Sequence, residues 1–230
     1  MQSTSALYKE LLNGQHWKET KLQVNDVEYG EDVLRSLTTD HQVFREEKPA
    51  VGGALSGEFD AKLRLPSSRI PRMAELHPFV RLTDGTRTSE WIPKGVYWVD
   101  TRESDASNTV VTLHGYDAMM RAEDDYPDSA LEWPATDIAV VREIAGAMGV
   151  EIDERTVALM AQGYLVQLPS GYSMREVLGY IAAMYGGNFI LSDQGKLLLL
   201  PLNALPEESY YLVNMAGDFI TFGGYRIRVR

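Results

Sequence analysis

The chain has 230 residues, of which 44% are hydrophobic and 24% are charged, and it contains no cysteine. This composition predicts a globular protein with enough apolar residues for one large or two smaller cores. It excludes disulfides, thiolate chemistry and zinc sites built from cysteine. The formal net charge is −11, and residues 116–230 carry 16 acids against 8 bases. Because an acidic surface repels phosphates, we expect no sequence-specific nucleic acid among the partners.

The chain shows no targeting signal in its first residues. Met1-Gln-Ser-Thr-Ser has neither the basic segment nor the apolar segment of a secretory signal. The longest unbroken apolar run, residues 180–185, is too short to span a bilayer. We therefore expect no membrane anchor, and we expect synthesis and folding in the cytoplasm.

The first half of the chain has the pattern of antiparallel β-structure. Residues 22–29 predict a small hairpin around the turn pair Asn25-Asp26, and residues 33–39 predict a further strand. Apolar and polar residues alternate from 54 to 65. Such alternation is typical of a strand with one buried and one solvated face.

A long hairpin over residues 91–120 is the most informative stretch of the sequence. Two runs rich in β-branched and aromatic residues flank turn-forming residues at 103–108, and helix formers follow Gly115. Tyr97 and Trp98 are neighbours on the first run and are expected to face opposite sides, one in the core and one at a surface. Strands at this spacing predict an antiparallel barrel or sandwich, a scaffold rather than a reaction centre.

The second half changes to helical patterns. Thr136 is the predicted cap of a helix ending at Gly149, and Ser173 is the predicted cap of a second helix ending at Gly186. The two patterns match at an offset of 37 residues, which fits either an internal duplication or two independent amphipathic helices. A third, short helix is predicted at 153–162, and an acidic loop at 122–137.

These elements predict an α+β fold with three parts. Residues 1–115 form an N-terminal antiparallel β-barrel or sandwich, residues 116–205 a small α/β domain, and residues 206–230 the first strands of a second β-domain. The last part contains the predicted strands 210–213, 219–222 and 225–229, and the chain stops within an alternating run. We expect that the second β-domain is truncated and that its last strand is an edge available for pairing.

A search for reaction chemistry predicts no catalytic, metal or cofactor-binding residues. The four histidines, at 16, 41, 77 and 114, do not have metal-ligand spacing. The glycines at 52, 53 and 57 are not followed by the Lys-Ser or Lys-Thr of a phosphate loop, so they predict a bulge or a close backbone approach. Ser56 and Ser170 lack the Gly-x-Ser-x-Gly elbow. The acidic run Glu123-Asp124-Asp125 is interpreted as solvated rather than as a catalytic carboxylate pair.

Four stretches of the sequence carry a resemblance to a known family. They are Val-Thr-Leu-His-Gly-Tyr-Asp-Ala-Met-Met at 111–120, Ile-Pro-Arg-Met-Ala-Glu-Leu at 70–76, Trp-Ile-Pro-Lys-Gly-Val-Tyr-Trp-Val-Asp at 91–100 and Trp-Pro-Ala-Thr-Asp-Ile-Ala-Val-Val-Arg-Glu-Ile-Ala at 133–145. These stretches resemble the hub proteins of phage and prophage tails, including the baseplate hub and the N-terminal region of tail-associated lysins. The resemblance covers most of residues 20–225.

The resemblance implies a structural protein that works as part of a ring. In such hubs each chain carries two similar β-barrels, and three chains form a pseudo-sixfold ring that joins the tail tube to the threefold tip. Residues 1–115 would supply the first barrel, residues 116–205 the insertion, and the second barrel would begin near Asp218. The implied partners are further copies of the chain, as a trimer in the full-length protein, together with distal tail and tape-measure proteins. The implied location is the virion tail, assembled in the cytoplasm of the host bacterium.

Two other functions fit parts of the sequence. A tail-associated cell-wall hydrolase would require a deep cleft with convergent carboxylates or a metal. A carbohydrate-binding or host-adhesion module would require an exposed aromatic platform, for which Trp91 and Trp98 are candidates. The acidic charge itself fits plain solubility or a ring lumen past which DNA slides without binding.

Overall fold

The computed structural model describes residues 4–44 and 49–202, and the backbone of four short strands at 210–211, 221–222, 225–226 and 228–229. The first half contains one antiparallel sheet. Its strands are β1 (Trp17–Val24), β2 (Val27–Tyr29), β3 (Leu34–Asp40), β4 (Glu58–Leu63), β5 (Glu75–Thr83), β6 (Ile92–Pro93), β7 (Tyr97–Ser104) and β8 (Val111–Asp117). The order is β2-β1-β5-β7-β8-β4-β3, with β6 paired to β5.

The predicted antiparallel β-structure is confirmed, but hydrogen bonds do not close the sheet into a barrel within the described residues. The sheet has two ends, at β2 and β3. Along the free edge of β1, the Thr20 amide donates to the Glu31 side chain at 3.1 Å. The Glu31 side chain therefore accepts the backbone hydrogen bond that a barrel-closing strand would otherwise accept from Thr20.

The alternating pattern of β4 places its apolar residues in the core. Phe59, Ala61 and Leu63 are buried while their neighbours Glu58, Asp60 and Lys62 are exposed. Burial of each large apolar side chain contributes about 1.5–3 kcal/mol. The strand is shorter than the predicted 54–65, because residues before Glu58 pair outside this sheet. The sheet core also contains Leu22, Val24, Leu34, Leu76, Tyr97, Val99, Val111 and Leu113.

The predicted hairpin of 91–120 is confirmed as β7, β8 and a short helix. Tyr97 is fully buried and Trp98 only partly so, as their opposite orientations predict. The pairing of β7 with β8 shifts register between Val99 and Thr101. A Cβ atom on Gly115 would lie 2.3 Å from the Trp98 carbonyl oxygen, so only glycine fits at this bulge. The helix after β8 is a 3₁₀ helix, Ala118–Glu123.

Two short helices of the first half were not predicted. Helix α1 (Ala6–Asn13) packs against β5, and a 3₁₀ turn spans Ser67–Arg69. Ser5 caps α1 by accepting the Tyr8 amide at 3.0 Å, and its own amide and hydroxyl both donate to Glu90 at 2.6 Å. Ser5 is a favoured capping residue that can be read from the sequence, but its side-chain partner Glu90 lies 85 residues away.

The second half forms an α/β unit with its own core. Its elements are β9 (Ala135–Thr136), α2 (Asp137–Met148), α3 (Glu154–Leu159), β10 (Leu165–Val166), α4 (Met174–Met184), β11 (Gly187–Leu191) and β12 (Leu197–Pro201). Strands β11 and β12 form a hairpin, and β9 pairs with β10. The core combines one face of α2 and α4 with β11 and β12. The division of the chain at 115 and 205 stays a prediction.

The predicted helix ends are partly confirmed. Ser173 and Glu176 form a capping box at the start of α4, and Gly149 ends α2 in the left-handed conformation with φ 72°. The Thr136 side chain, in contrast, makes no capping hydrogen bond. The Asp137 carboxylate takes that role instead by accepting the Ile138 amide at 2.7 Å.

The last strands form two short antiparallel pairs. Strand β13 (Tyr210–Tyr211) pairs with β16 (Arg228–Val229), and β14 (Thr221–Phe222) pairs with β15 (Tyr225–Arg226). The remaining residues of the three predicted strands, and Asp218, where the second barrel was expected to begin, lie outside the described residues. In the described part of the chain, no helix combines the length and the apolar character needed to cross a bilayer.

Candidate functional site

The joint between the sheet and the α/β unit is held by backbone and side-chain hydrogen bonds. Residues 52–55, which precede β4, lie beside β11. The Gly52 amide donates to the Gly187 oxygen at 2.9 Å, and the Leu55 amide donates to the Phe189 oxygen at the same distance. In return, the Phe189 amide donates to the Gly53 oxygen at 2.8 Å. This segment therefore pairs with β11 through a parallel β-bridge between Ala54 and Phe189.

Asn188 holds the residues that lead into this segment. Its side chain is buried, with 1% of the residue exposed. The amide nitrogen donates to the carbonyl oxygens of Val43 and Ala50 at 2.7 and 2.8 Å, and the side-chain oxygen accepts the Gly53 amide at 2.7 Å. One side chain of β11 thus fixes three backbone groups of the connection between β3 and β4.

The Gly-rich patch at 52–57 marks a close backbone approach, one of the two predicted interpretations. A Cβ atom on Gly179 of α4 would lie 2.6 Å from the Gly52 oxygen. Helix and loop backbones therefore touch with no side chain between them. A Cβ atom on Gly57 would lie 2.9 Å from the Asp117 carboxylate, which leaves room at that position only for glycine.

Asp117 forms a second polar centre, where β8 ends. It is 1% exposed, and its carboxylate accepts the amides of Gly57 and Met119 and the hydroxyl of Ser56 at 2.7–3.0 Å. Burial raises the pKa of Asp117 above its ordinary value, although these hydrogen bonds act in the opposite direction. The carboxylate caps the 3₁₀ helix and connects it to the loop before β4.

The Tyr97 hydroxyl lies beside the same centre. It donates to the Lys94 carbonyl oxygen at 3.0 Å and contacts Nε2 of His41. Burial raises the pKa of the Tyr97 hydroxyl well above its usual range. His41 thereby belongs to a structural network that connects the end of β3 with β7.

We expect Tyr97→Phe to lower the free energy of unfolding by about 1 kcal/mol, because the hydrogen bond to Lys94 is lost while the buried ring remains. Urea denaturation measures the change. Tyr172→Phe is the control, since this tyrosine is exposed. Equal stability of Tyr97→Phe and the native chain would show that the hydroxyl contributes nothing.

A cleft of about 740 Å³ opens between the two units. Its walls contain Ser56, Glu58 and Tyr116 from the sheet side and Glu123, Arg175 and Glu176 from the α/β side. Glu123 lies 3.1 Å from Arg175 in an ion pair, and Glu176 accepts the Ser173 amide at 2.8 Å. Two of the three carboxylates are therefore engaged in structural bonds.

The acidic run 123–125 is joined to the start of α4 along its length. The Met174 amide donates to the Asp124 carbonyl oxygen at 2.9 Å, and Asp125 forms a β-bridge with Ser173. The side chains of 123–125 are exposed, as predicted. The backbone holds the run in place, and of its three residues only Glu123 lines the cleft.

The histidines and tryptophans bind partners within the chain. Nε2 of His77 lies 2.7 Å from the Glu75 carboxylate, and Nδ1 of His114 lies 3.0 Å from the Asp60 carboxylate. Within the described residues, no group of three or more histidine, aspartate or glutamate side chains could hold a metal ion. Arg121 lies 4.2 Å from the Trp98 ring centroid, and Arg81 lies 4.3 Å from that of Trp91. Cations of the chain itself therefore cover both rings proposed as a carbohydrate platform.

The structural roles of Asn188 and Asp117 were not predicted from the sequence. Asp117 has a usable signal, because it directly precedes the helix formers at 118–123 and aspartate is a favoured cap. Asn188 has none, since a lone asparagine in an apolar strand does not identify partners 135 to 145 residues away.

Two solved structures are similar to this chain. The 43 kDa tail protein of prophage MuSo2 from Shewanella oneidensis matches with a TM-score of 0.50 and 14% identity, over 81% of this chain and 56% of that one. The tail protein from Neisseria meningitidis MC58 matches with a TM-score of 0.46 and 12% identity, over 79% and 51%. This chain thus spans about half the length of either protein. No family model and no curated protein matches the sequence. At this identity the first match establishes a shared fold, that of a part of a prophage tail protein.

Proposed function

We propose that this chain is a structural, non-enzymatic component of a phage or prophage tail, and that it forms part of the hub ring joining tail tube to tip. The observation that carries the proposal is the fold shared with the MuSo2 tail protein over 81% of this chain. The partners in this proposal are further copies of the chain and other tail proteins, such as the distal tail and tape-measure proteins. The location is the virion tail, after assembly in the host cytoplasm.

The geometry of the sheet supports a ring segment. The terminal strand β3 contacts β1, the neighbour of the other terminal strand β2, although no ladder joins β1 and β3. A rolled sheet of this kind presents a curved outer surface that a second copy can contact around a symmetry axis. The net charge of −11 suits a lumen through which DNA moves without binding.

The hydrogen bonds at the joint favour a rigid structural role for the chain. Asn188 fixes three backbone groups across the joint, and Asp117 fixes three polar groups beside it. Two of the three carboxylates of the cleft, those of Glu123 and Glu176, are bonded to structural partners, which favours a scaffold over a hydrolase.

We expect the protein to form a trimer with a threefold ring in negative-stain images, and native mass spectrometry gives its stoichiometry. The reason is the resemblance to tail hubs, in which two barrels per chain and three chains complete a sixfold surface. A monomer at micromolar concentration would exclude the ring. A zymogram with bacterial cell walls tests the non-enzymatic part, and clearing by this chain would overturn it.

A further inference from the structure

Exposed apolar side chains are concentrated in one part of the molecule. Of the thirteen large hydrophobic residues that are exposed among those the structure describes, eight lie between residues 157 and 184. Tyr180 and Met184 of α4 are 58% and 43% exposed. Where such side chains form one patch, they usually mark an interaction site.

Four of these eight residues, Leu168, Tyr172, Tyr180 and Met184, line a groove of about 390 Å³ along α4. One wall is the segment 166–169, and the floor contains Val140, Val177 and Ile181. Every residue that lines the groove is uncharged. The Tyr172 and Tyr180 rings meet edge to face at 5.4 Å. This volume lies within the range of about 300–1,000 Å³ usual for binding pockets.

An acidic segment lies beside the tyrosine end of the groove. Residues 123–132 contain five acids and no base. The Tyr126 amide donates to the Tyr172 carbonyl oxygen at 2.9 Å, which fixes this segment against the groove wall. Asp124 and Asp125 are exposed there. The surface therefore combines an uncharged apolar groove with a negative rim.

We propose that this groove binds an amphipathic helix of another protein, one with large apolar residues on one face and Lys or Arg beside them. The groove runs along α4, whose contributing residues 177, 180, 181 and 184 have the i, i+3, i+4, i+7 spacing suited to a second helix. Basic flanking residues match the acidic rim, which raises the association rate and fixes orientation.

The charges of this chain's own helices favour another protein as the occupant. Helices α1, α3 and α4 carry no net charge and α2 carries one net negative charge. None of these four helices therefore supplies the cationic flanks that match the rim. The inference is independent of the hub ring, since it rests only on the groove and its rim.

The test is fluorescence polarisation with a labelled amphipathic Leu/Lys peptide of about 18 residues, long enough to form a helix. We expect saturable binding that weakens as salt is raised from about 0.1 to about 1 M. A peptide with glutamate in place of lysine, and a scrambled Leu/Lys peptide, are expected to bind at least about tenfold more weakly. Equal binding of the three peptides, or no saturable binding of the Leu/Lys peptide, overturns the proposal.

Variants assign the binding to the groove. Tyr180→Ser with Met184→Ser is expected to weaken binding about tenfold or more, whereas Leu12→Ser with Val27→Ser, at exposed apolar positions elsewhere, leaves it unchanged. Asp124→Asn with Asp125→Asn is expected to reduce both the affinity and its salt dependence. Unaltered binding by the groove variant contradicts the site. Self-association in sedimentation experiments that this variant abolishes identifies a second copy as the occupant and overturns the proposal.

Discussion

Asn188→Ala is expected to lower the free energy of unfolding by about 2–3 kcal/mol. The native side chain donates to two carbonyl oxygens and accepts one amide, all in the connection between β3 and β4. Alanine leaves these three part-buried backbone groups without a side-chain partner. Urea denaturation measures the change, with Gln162→Ala as a control because that amide side chain is exposed.

Loss of the Asn188 hydrogen bonds is expected to change hydrogen exchange locally, which distinguishes it from a general loss of stability. Hydrogen exchange is expected to accelerate at the amides of Gly52 and Leu55, which bond to β11, before it changes in β4. Asn188→Asp tests the donor role at constant shape, because a carboxylate would face the oxygens of Val43 and Ala50. We expect this variant to be at least as unstable as the alanine variant. Native stability in the aspartate variant would show that the donor role is wrong.

Asp117→Ala is expected to cost about 2–3 kcal/mol, since it leaves the buried amides of Gly57 and Met119 without an acceptor. Asp128→Ala, at an exposed position, is the control. Thermal and urea unfolding at neutral pH provide the comparison. A change below about 0.5 kcal/mol, the range of surface substitutions, would contradict the structural role.

The pH dependence of this site has a definite sign. Burial raises the pKa of Asp117 in the folded protein, so the part of its stability contribution that depends on protonation is present at pH below the ordinary carboxyl pKa of 3.8 and is lost as pH rises through the folded value. The hydrogen bonds from the amides of Gly57 and Met119 are a separate contribution, which the alanine variant removes at neutral pH. Asp117→Asn removes this titration. We therefore expect the native chain to lose stability relative to Asp117→Asn as the pH rises from acid toward neutral. A difference that is constant with pH would show that the folded state does not shift this pKa.

Elements specified by nearby residues could be predicted from the sequence. The capping box of α4 joins Ser173 to Glu176 three positions later, and the alternation of β4 follows from its own residues. The β7–β8 hairpin is likewise contained in one continuous stretch. In each case the partners are close in sequence, so the local pattern carries the information.

Features with distant partners could not be predicted. The alternation at 54–57 looks the same as that at 58–63, yet only the latter belongs to β4, because residues 52–55 pair with β11. The apolar groove along α4 was missed for a related reason. Tyr180 and Met184 are ordinary helix residues in the sequence, and only the packed unit leaves them exposed. Local patterns define elements, while tertiary packing decides what each element touches.

The pairing of residues 52–55 with β11 also affects the order in which a ribosome can complete the protein. The partners Gly53 and Asn188 are separated by 135 residues. At a synthesis rate of about 5–20 residues per second, the earlier segment emerges roughly 7–27 s before its partner strand exists. The nascent chain must therefore keep this glycine-rich stretch from aggregating or pairing elsewhere until translation is well advanced.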